Sequence, residues 1–288
     1  MTDKKRLTTL SLKSLFAKGE KIVMVTAYDA AQAAIAEQAD ADIILVGDSL
    51  GMVVLGYDST IPVTVEDMIH HGKAVRRGAP HTMVLVDMPF LSYRKSVPET
   101  LANAGRIMQE TYADGIKLEG GKAVAPHVQA MVEAGIPVCG HVGLTPQNSL
   151  NFGGFRVQGK DLEAAEHIIA DAWALVEAGV SMIVLECVPA KLAAILSEQL
   201  PVPIIGIGAG AACAGQVLVF HDLLDLYGRK LPKFVKSYAH LGEAATTAIR
   251  TYRDEVKAGV FPSPAFSYEV GEEELALLYA KVKGDVNP

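Results

Sequence analysis

Short, β-branched apolar runs alternate along this chain with longer stretches of helical character. The runs are KIVMVTAYD from Lys21, ADIILVGDS from Ala41, HTMVLVDMP from His81 and GIKLEG from Gly115. The series continues with IPVCGHVGL from Ile136, SMIVLECVP from Ser181 and VPIIGIGAG from Val202, and a shorter eighth run is GQVLVFHD from Gly215. Uninterrupted apolar strands separated by helices predict a parallel sheet covered on its faces. Helices are expected over 29–39, 65–77, 98–112, 122–134, 161–178 and 189–200. Thr64 is placed to cap the second of these, with Asp67 at its third position. Pro98 and Pro189 sit where a first helical residue tolerates proline. Eight strand–helix alternations predict an α/β fold, a single (β/α)8 TIM barrel. The longest excursions, 49–64 and 143–160, follow strands two and five. They lie at the C-terminal ends of the strands, where such barrels carry their chemistry.

Beyond strand eight the pattern changes. The stretch 232–256 reads as one or two helices, FPSPAFSYEVG from Phe261 as a loop, and 272–282 as a helix with Leu275, Leu278, Tyr279 and Val282 at helical spacing. Residues 1–288 therefore read as one barrel domain with additional C-terminal helices. Within it, 263–288 is an extension packed on the barrel or on a neighbouring subunit.

Composition narrows the classes. The chain has 288 residues, half of them apolar and a fifth charged, which suits one large core. Its net charge of -7 gives no electrostatic reason to bind nucleic acid or an anionic membrane. The start, MTDKKRLTTL, lacks the apolar region of a secretory signal. No apolar run approaches the ~20 residues of a membrane span. The cysteines, Cys139, Cys187 and Cys213, are odd in number and sit in apolar or small-residue stretches, against a disulfide framework. A cytoplasmic protein is the expectation.

Candidate chemistry lies where polar residues interrupt the apolar runs. Strand two ends in Asp48-Ser49, strand three in Asp87, strand five in Gly140-His141 and strand six in Glu186, while strand four carries Lys117 and Glu119. Taken singly, an Asp after a strand also reads as a cap for the next helix. His141 alone also reads as a hydrogen-bonded core histidine, and Glu186 as a partner of Lys191. Together, a barrel aims all of them into one mouth. Asp48, Asp87 and Glu119 would repel one another there without a cation, and an all-oxygen set suits a hard ion such as Mg²⁺. Lys117 and Glu119, two apart, share a strand face. The apolar run around Glu186 predicts a raised pKa, which suits a proton-abstracting base. GIGAGAA from Gly206 has dinucleotide-type glycine spacing, but six strands precede it. A tight loop after strand seven, able to present N–H groups to an anion, is the better reading.

Over about Leu10 to Pro262 the chain resembles the ketopantoate hydroxymethyltransferase family. The resemblance rests on TAYD at Thr26, VGDSLGMVVLGYDSTIPVTVEDM from Val46, VRRGAP from Val75, DMPF at Asp87, KLEGG at Lys117 and VCGHVGLTPQ from Val138. FGGFRVQG from Phe152, LECVP from Leu185, GIGAG from Gly206 and GQVLVFHD from Gly215 complete it. It implies transfer of a hydroxymethyl group from 5,10-methylenetetrahydrofolate to 3-methyl-2-oxobutanoate, giving 2-dehydropantoate for pantothenate synthesis. At matching positions it implies Mg²⁺, or another divalent ion, one per subunit, on Asp48 and Asp87, with Glu119 completing the sphere directly or through water. Ser49 and Lys117 would hold the keto acid, in a substrate site that also takes in Asp48, Asp87 and His141. Glu186 would be the base. His141 is placed to donate to the forming alcohol or to the folate. A homo-oligomer, typically a decamer, is implied as well. The chain departs from the family pattern at Ala214, where an Asp is usual, and in its extension through 272–288. Two other readings share these features: a phosphoenolpyruvate mutase or isocitrate-lyase-like lyase, and a non-catalytic barrel that binds a 2-oxo acid.

Overall fold

Each apolar run forms a strand because β-branched residues fit a pleated, buried surface. The strands are β1 (Ile22–Thr26), β2 (Ile43–Val46), β3 (Met83–Asp87), β4 (Gly115–Lys117), β5 (Val138–Gly143), β6 (Met182–Glu186), β7 (Ile204–Ile207) and β8 (Gly215–Leu218). In the computed structural model, which describes residues 6–228 and 231–284, they close in sequence order into a parallel barrel with β8 paired to β1. Residues 1–5, at the charged N-terminal end, and 285–288, at the tip of the C-terminal extension, lie outside the described residues.

Strand alternation divides the core in two. Ile44, Val84, Val86, Ile116, Val138 and Ile183 point outward, into the layer shared with the helices. Met24, Leu45, Met83, Leu85, Cys139, Met182 and Val184 point inward and fill the barrel. The same period carries the next inward positions onto Asp87, Lys117, His141 and Glu186, so these four project from the top of the filled interior.

Eleven α-helices are formed among the described residues. They are α1 (Thr9–Ala17), α2 (Ala30–Gln38), α3 (Leu50–Val53), α4 (Val65–Gly78), α5 (Val97–Thr111) and α6 (Ala125–Glu133). After them come α7 (Leu162–Glu177), α8 (Ala190–Gln199), α9 (Phe220–Leu223), α10 (Leu241–Lys257) and α11 (Glu272–Gly284). Helix α1 brings Leu12, with Leu7 and Leu15 beside it, against the barrel's interior cluster. The capping box of α4 forms as expected: Thr64 Oγ1 accepts from the Asp67 N–H at 3.1 Å, and Asp67 Oδ2 accepts from the Thr64 N–H at 2.9 Å. No helix of the described residues is long and apolar enough to cross a membrane.

Several boundaries differ from expectation. Pro189 is the cap of α8 rather than its first residue, and Lys122–Val124 is a 3₁₀ turn leading into α6. No helix separates β7 from β8, because Gly208 and Gly210 take left-handed φ of 64° and 85° within a short connection. The helix expected from 232 starts only at Leu241. Before it, the Tyr238 N–H donates to the Leu223 carbonyl and the Leu241 N–H to that of Leu224, so this segment docks on α9 instead of winding. Helix α10 buries no side chain within the chain, and the stripe Leu275, Leu278, Tyr279 and Val282 of α11 is exposed. Neither helix therefore covers the barrel of its own chain. The outer face of the β8–β1 pair is left partly bare, with Val23 54% exposed.

Candidate active site

All seven residues singled out in the sequence line one cavity of about 600 Å³ at the C-terminal mouth of the barrel: Asp48, Ser49, Asp87, Lys117, Glu119, His141 and Glu186. That volume suits a small-molecule site. The register explains the neighbours. Asp87 pairs with Lys117 across β3 and β4, and Lys117 Nζ donates to Asp87 Oδ1 at 2.7 Å with both side chains buried. The other oxygen, Asp87 Oδ2, accepts the Asp48 N–H at 3.1 Å. Neither carboxylate caps the helix that follows it: the N-cap of α3 is Ser49, which makes no side-chain cap bond, and α5 is capped by Ser96. Ser49 Oγ lies 2.8 Å from the buried Tyr28 hydroxyl.

The electrostatics follow from crowding several charges in a dry space. Burial, and then the charges of Glu119 and Asp87, push the Asp48 carboxyl well above the usual range. Burial likewise raises Asp87, against the opposing pull of Lys117. Burial works against the Lys117 ammonium, but Asp87, Glu119 and Asp48 together raise its pKa above the ordinary value.

His141 stands between two carboxylates. Its Nδ1 is 3.5 Å from Glu119 and its Nε2 3.2 Å from Glu186. These are ion-pair distances rather than aligned hydrogen bonds, since neither ring nitrogen has a hydrogen-bond partner among the described residues. Burial and Lys117 push the imidazole down, yet the two carboxylates prevail and raise it to about 9. The ionic neighbour of Glu186 is thus His141, and no ion pair joins Glu186 to Lys191 among the described residues. The apolar setting expected for Glu186 is interrupted on this side by the imidazole. Two local features aim Glu186. Gly143 approaches the Glu186 carbonyl so closely that a Cβ would collide with it, and Cys187 takes a left-handed φ of 48°.

Charge-based reasoning passed over Gln147 and Tyr93. Both are buried, and the amide of Gln147 donates to Asp48 Oδ2 at 2.8 Å. Tyr93 lies 2.7 Å from Gln147 Oε1. The usable signal was the TPQ of the run after strand five. The loop after β7 does not enter this cavity through its glycines: Gly208 and Gly210 line an adjoining cavity, which shares Val157, Cys187, Lys233 and Phe234 with it. Ala214 serves through its backbone, its carbonyl accepting the Ile22 N–H at 3.0 Å where β1 meets β8.

The family model for ketopantoate hydroxymethyltransferase matches residues 6–264. The chain is 57% identical to a 3-methyl-2-oxobutanoate hydroxymethyltransferase of Moorella thermoacetica, an alignment covering 93% of this chain and all of the relative. It is 54% identical to the protein of that name from Carboxydothermus hydrogenoformans, over 95% and 99% of the two chains. Among solved structures, phosphonopyruvate hydrolase in complex with oxalate and Mg²⁺ superposes with a TM-score of 0.60 at 13% identity, covering 97% of this chain and 98% of that one. A 2,3-dimethylmalate lyase superposes with a TM-score of 0.57 at 16% identity, over 97% and 95%. At such identities these two speak for the fold alone, whereas the near-complete match of sequence is specific: this chain belongs to the ketopantoate hydroxymethyltransferase family.

Proposed function

We propose that this protein transfers a hydroxymethyl group from 5,10-methylenetetrahydrofolate to 3-methyl-2-oxobutanoate, giving 2-dehydropantoate, with one divalent cation per subunit and Mg²⁺ as the first choice. The observation that carries the reading is that Glu186 shares one cavity with Asp48, Asp87 and Lys117.

The donors fit a hard cation. Asp48, Asp87 and Glu119 are buried carboxylates, and Lys117 is the permanent cation beside them at the floor of the cavity. Among the described residues, no three acidic, histidine or cysteine side chains already enclose a single ion position. Two carboxylates with water and substrate completing the sphere is the usual habit of Mg²⁺. Asp48 and Asp87 are the proposed ligands, with Glu119 completing the sphere directly or through water. When bound, the cation would polarise the 2-oxo group, a Lewis-acid effect.

The protein's own groups do the rest. Lys117 and Ser49 hold the carboxylate end of the keto acid. Glu186 removes the proton from C3, and that carbon then bonds to the one-carbon unit, whose two bonds to folate nitrogens are replaced by the new C–C bond and by a hydroxyl from water, so that tetrahydrofolate leaves with the two protons. His141, beside Glu186, is placed to donate to the forming alcohol. The cavity mouth suits the second substrate. Phe155 and Phe234 expose rings there, next to Arg156 and Lys233, and neither of these cations is ion-paired among the described residues. Flat rings and free cations match a pterin with an anionic tail.

Assembly into a homo-oligomer, a decamer by family resemblance, is part of the same reading. In it the barrel domain extends through 263–288, whose helix lies on a neighbouring subunit. The decisive test is formation of 2-dehydropantoate with and without methylenetetrahydrofolate and metal. Product is expected only with both. Carbon–carbon cleavage of a 2-oxo acid without folate would favour the lyase reading instead.

A further inference from the structure

The hydrogen bonds around Gln147 converge on two of the proposed metal ligands from opposite ends of one residue. Its side-chain Nε2 donates to Asp48 Oδ2 at 2.8 Å and to the Met88 carbonyl at 3.0 Å. Its backbone N–H donates to Glu119 Oε2 at 3.0 Å. Its Oε1 lies 2.7 Å from the Tyr93 hydroxyl, which also lies 2.9 Å from the Glu119 carbonyl and accepts the Glu119 N–H at 3.2 Å. Arg94 Nη2 donates to the same Glu119 carbonyl at 3.0 Å. Both amide protons of Gln147 therefore have partners, and so does its oxygen. This fixes which way the amide faces.

We infer that Gln147, buttressed by Tyr93, is a positioning residue that sets the orientation of the Asp48 and Glu119 carboxylates for the divalent cation. The inference rests on the proposed metal site. By occupying Asp48 Oδ2, the amide holds the carboxylate in one rotation and leaves Oδ1 unengaged by it. By occupying Glu119 Oε2, the backbone N–H turns Oε1 toward His141, 3.5 Å away at Nδ1. A freely rotating carboxylate must be ordered when an ion binds, and one held in place beforehand need not be. Partners of this kind behind metal ligands are worth about 10–100-fold in affinity. The 3₁₀ turn Pro146–Asn148 carries Gln147 to this point, and the Asn148 side chain ties back to Thr145 Oγ1 at 3.0 Å. The clamp thus belongs to the loop after β5, while the ligands come from the ends of β2 and β4.

The test compares wild type, Gln147→Met, Tyr93→Phe and the double variant, reading Mg²⁺ or Mn²⁺ affinity by calorimetry alongside circular dichroism and melting. Gln147→Met keeps the length of the side chain and removes its hydrogen bonds. It is expected to fold and to bind metal about 10–100-fold more weakly. Tyr93→Phe should weaken binding less, and the double variant by less than the product of the two, because both act through one network. Saturating metal should restore most of the C3-hydrogen exchange of 3-methyl-2-oxobutanoate, since Gln147 does not touch Glu186. A merely structural role would lower the melting temperature and leave the metal affinity of the folded fraction unchanged, and that result overturns the inference. If Gln147→Met fails to fold, Tyr93→Phe decides on the same criterion. If wild type itself binds no divalent cation, the proposed metal site fails first and takes this inference with it. Wild-type binding with unaltered variants sinks the inference alone.

Discussion

Replacing Glu186 by Gln keeps the shape of the side chain and removes its basicity. Loss of a general base costs about 10²–10⁴ in rate, so deuterium exchange at C3 of 3-methyl-2-oxobutanoate, followed by NMR without folate, should fall by that factor. Lys191→Gln should leave the exchange at the wild-type rate. Exchange undiminished in Glu186→Gln would move the base elsewhere, with His141, 3.2 Å away, the next candidate. Lys117 offers a prediction on stability. Removing one partner of a buried ion pair costs about 3–5 kcal/mol, because the other charge is stranded. Lys117→Met should therefore lower the melting temperature sharply, and added Mg²⁺ should recover part of the loss; a melt indifferent to the substitution would mean that the pair with Asp87 does not persist in solution. The residues legible in advance were the charged ones. An Asp, Lys or Glu at the end of an apolar strand conflicts with its surroundings, and the conflict shows in the sequence. Gln147 and Tyr93 escaped because neither is ionic and both sit in loops, where polar residues are commonplace. Their importance lies in contacts to residues 99 and 26 positions away in the chain, which no local pattern encodes.

At the scale of elements, the strands were legible because their signal is strong and local. All eight expected runs hold a strand, and the inward alternation of β3, β4, β5 and β6 alone is enough to gather Asp87, Lys117, His141 and Glu186. Connections were read less well. In the segment before α10 the Tyr238 N–H is taken by the Leu223 carbonyl of α9, a tertiary contact that competes there with local helical preference. The excursion 143–160 was expected at the working end, and it does line the cavity through Pro146, Phe155, Arg156 and Val157. What it holds can be separated from what the barrel holds. Phe155→Ala and Arg156→Ala should each raise KM for methylenetetrahydrofolate by about fivefold, the loss of one exposed stacking or charge contact of roughly 1 kcal/mol. Folate-independent C3 exchange should stay as in wild type. Steady-state kinetics with each substrate varied in turn would show it, and equal effects on both substrates would place these residues at the keto acid instead.

At the scale of the whole molecule, α10 exposes Leu241, Ile249, Tyr252 and Val256, while the barrel's own β8–β1 face leaves Val23 uncovered. The C-terminal helices were legible as amphipathic segments, but periodicity carries no information on whose barrel they meet. In the proposed homo-oligomer these faces are covered by other copies, and sedimentation at micromolar protein should show a species many times the 30.6 kDa of one chain. A single 30.6 kDa species would end that reading. In the proposed homo-oligomer, the missing helix between β7 and β8 and the exposed faces of α10 together carry a thermodynamic consequence. A fold completed only by its neighbours draws part of its free energy from association, and mass action makes that part vary with the logarithm of concentration. Serial dilution should therefore lower the apparent melting temperature step by step, with no change of buffer, whereas a self-sufficient barrel would melt at one temperature throughout. In a cell, the same coupling would make newly made chains most exposed to unfolding and proteolysis while they are scarce, and progressively safer as their own number grows.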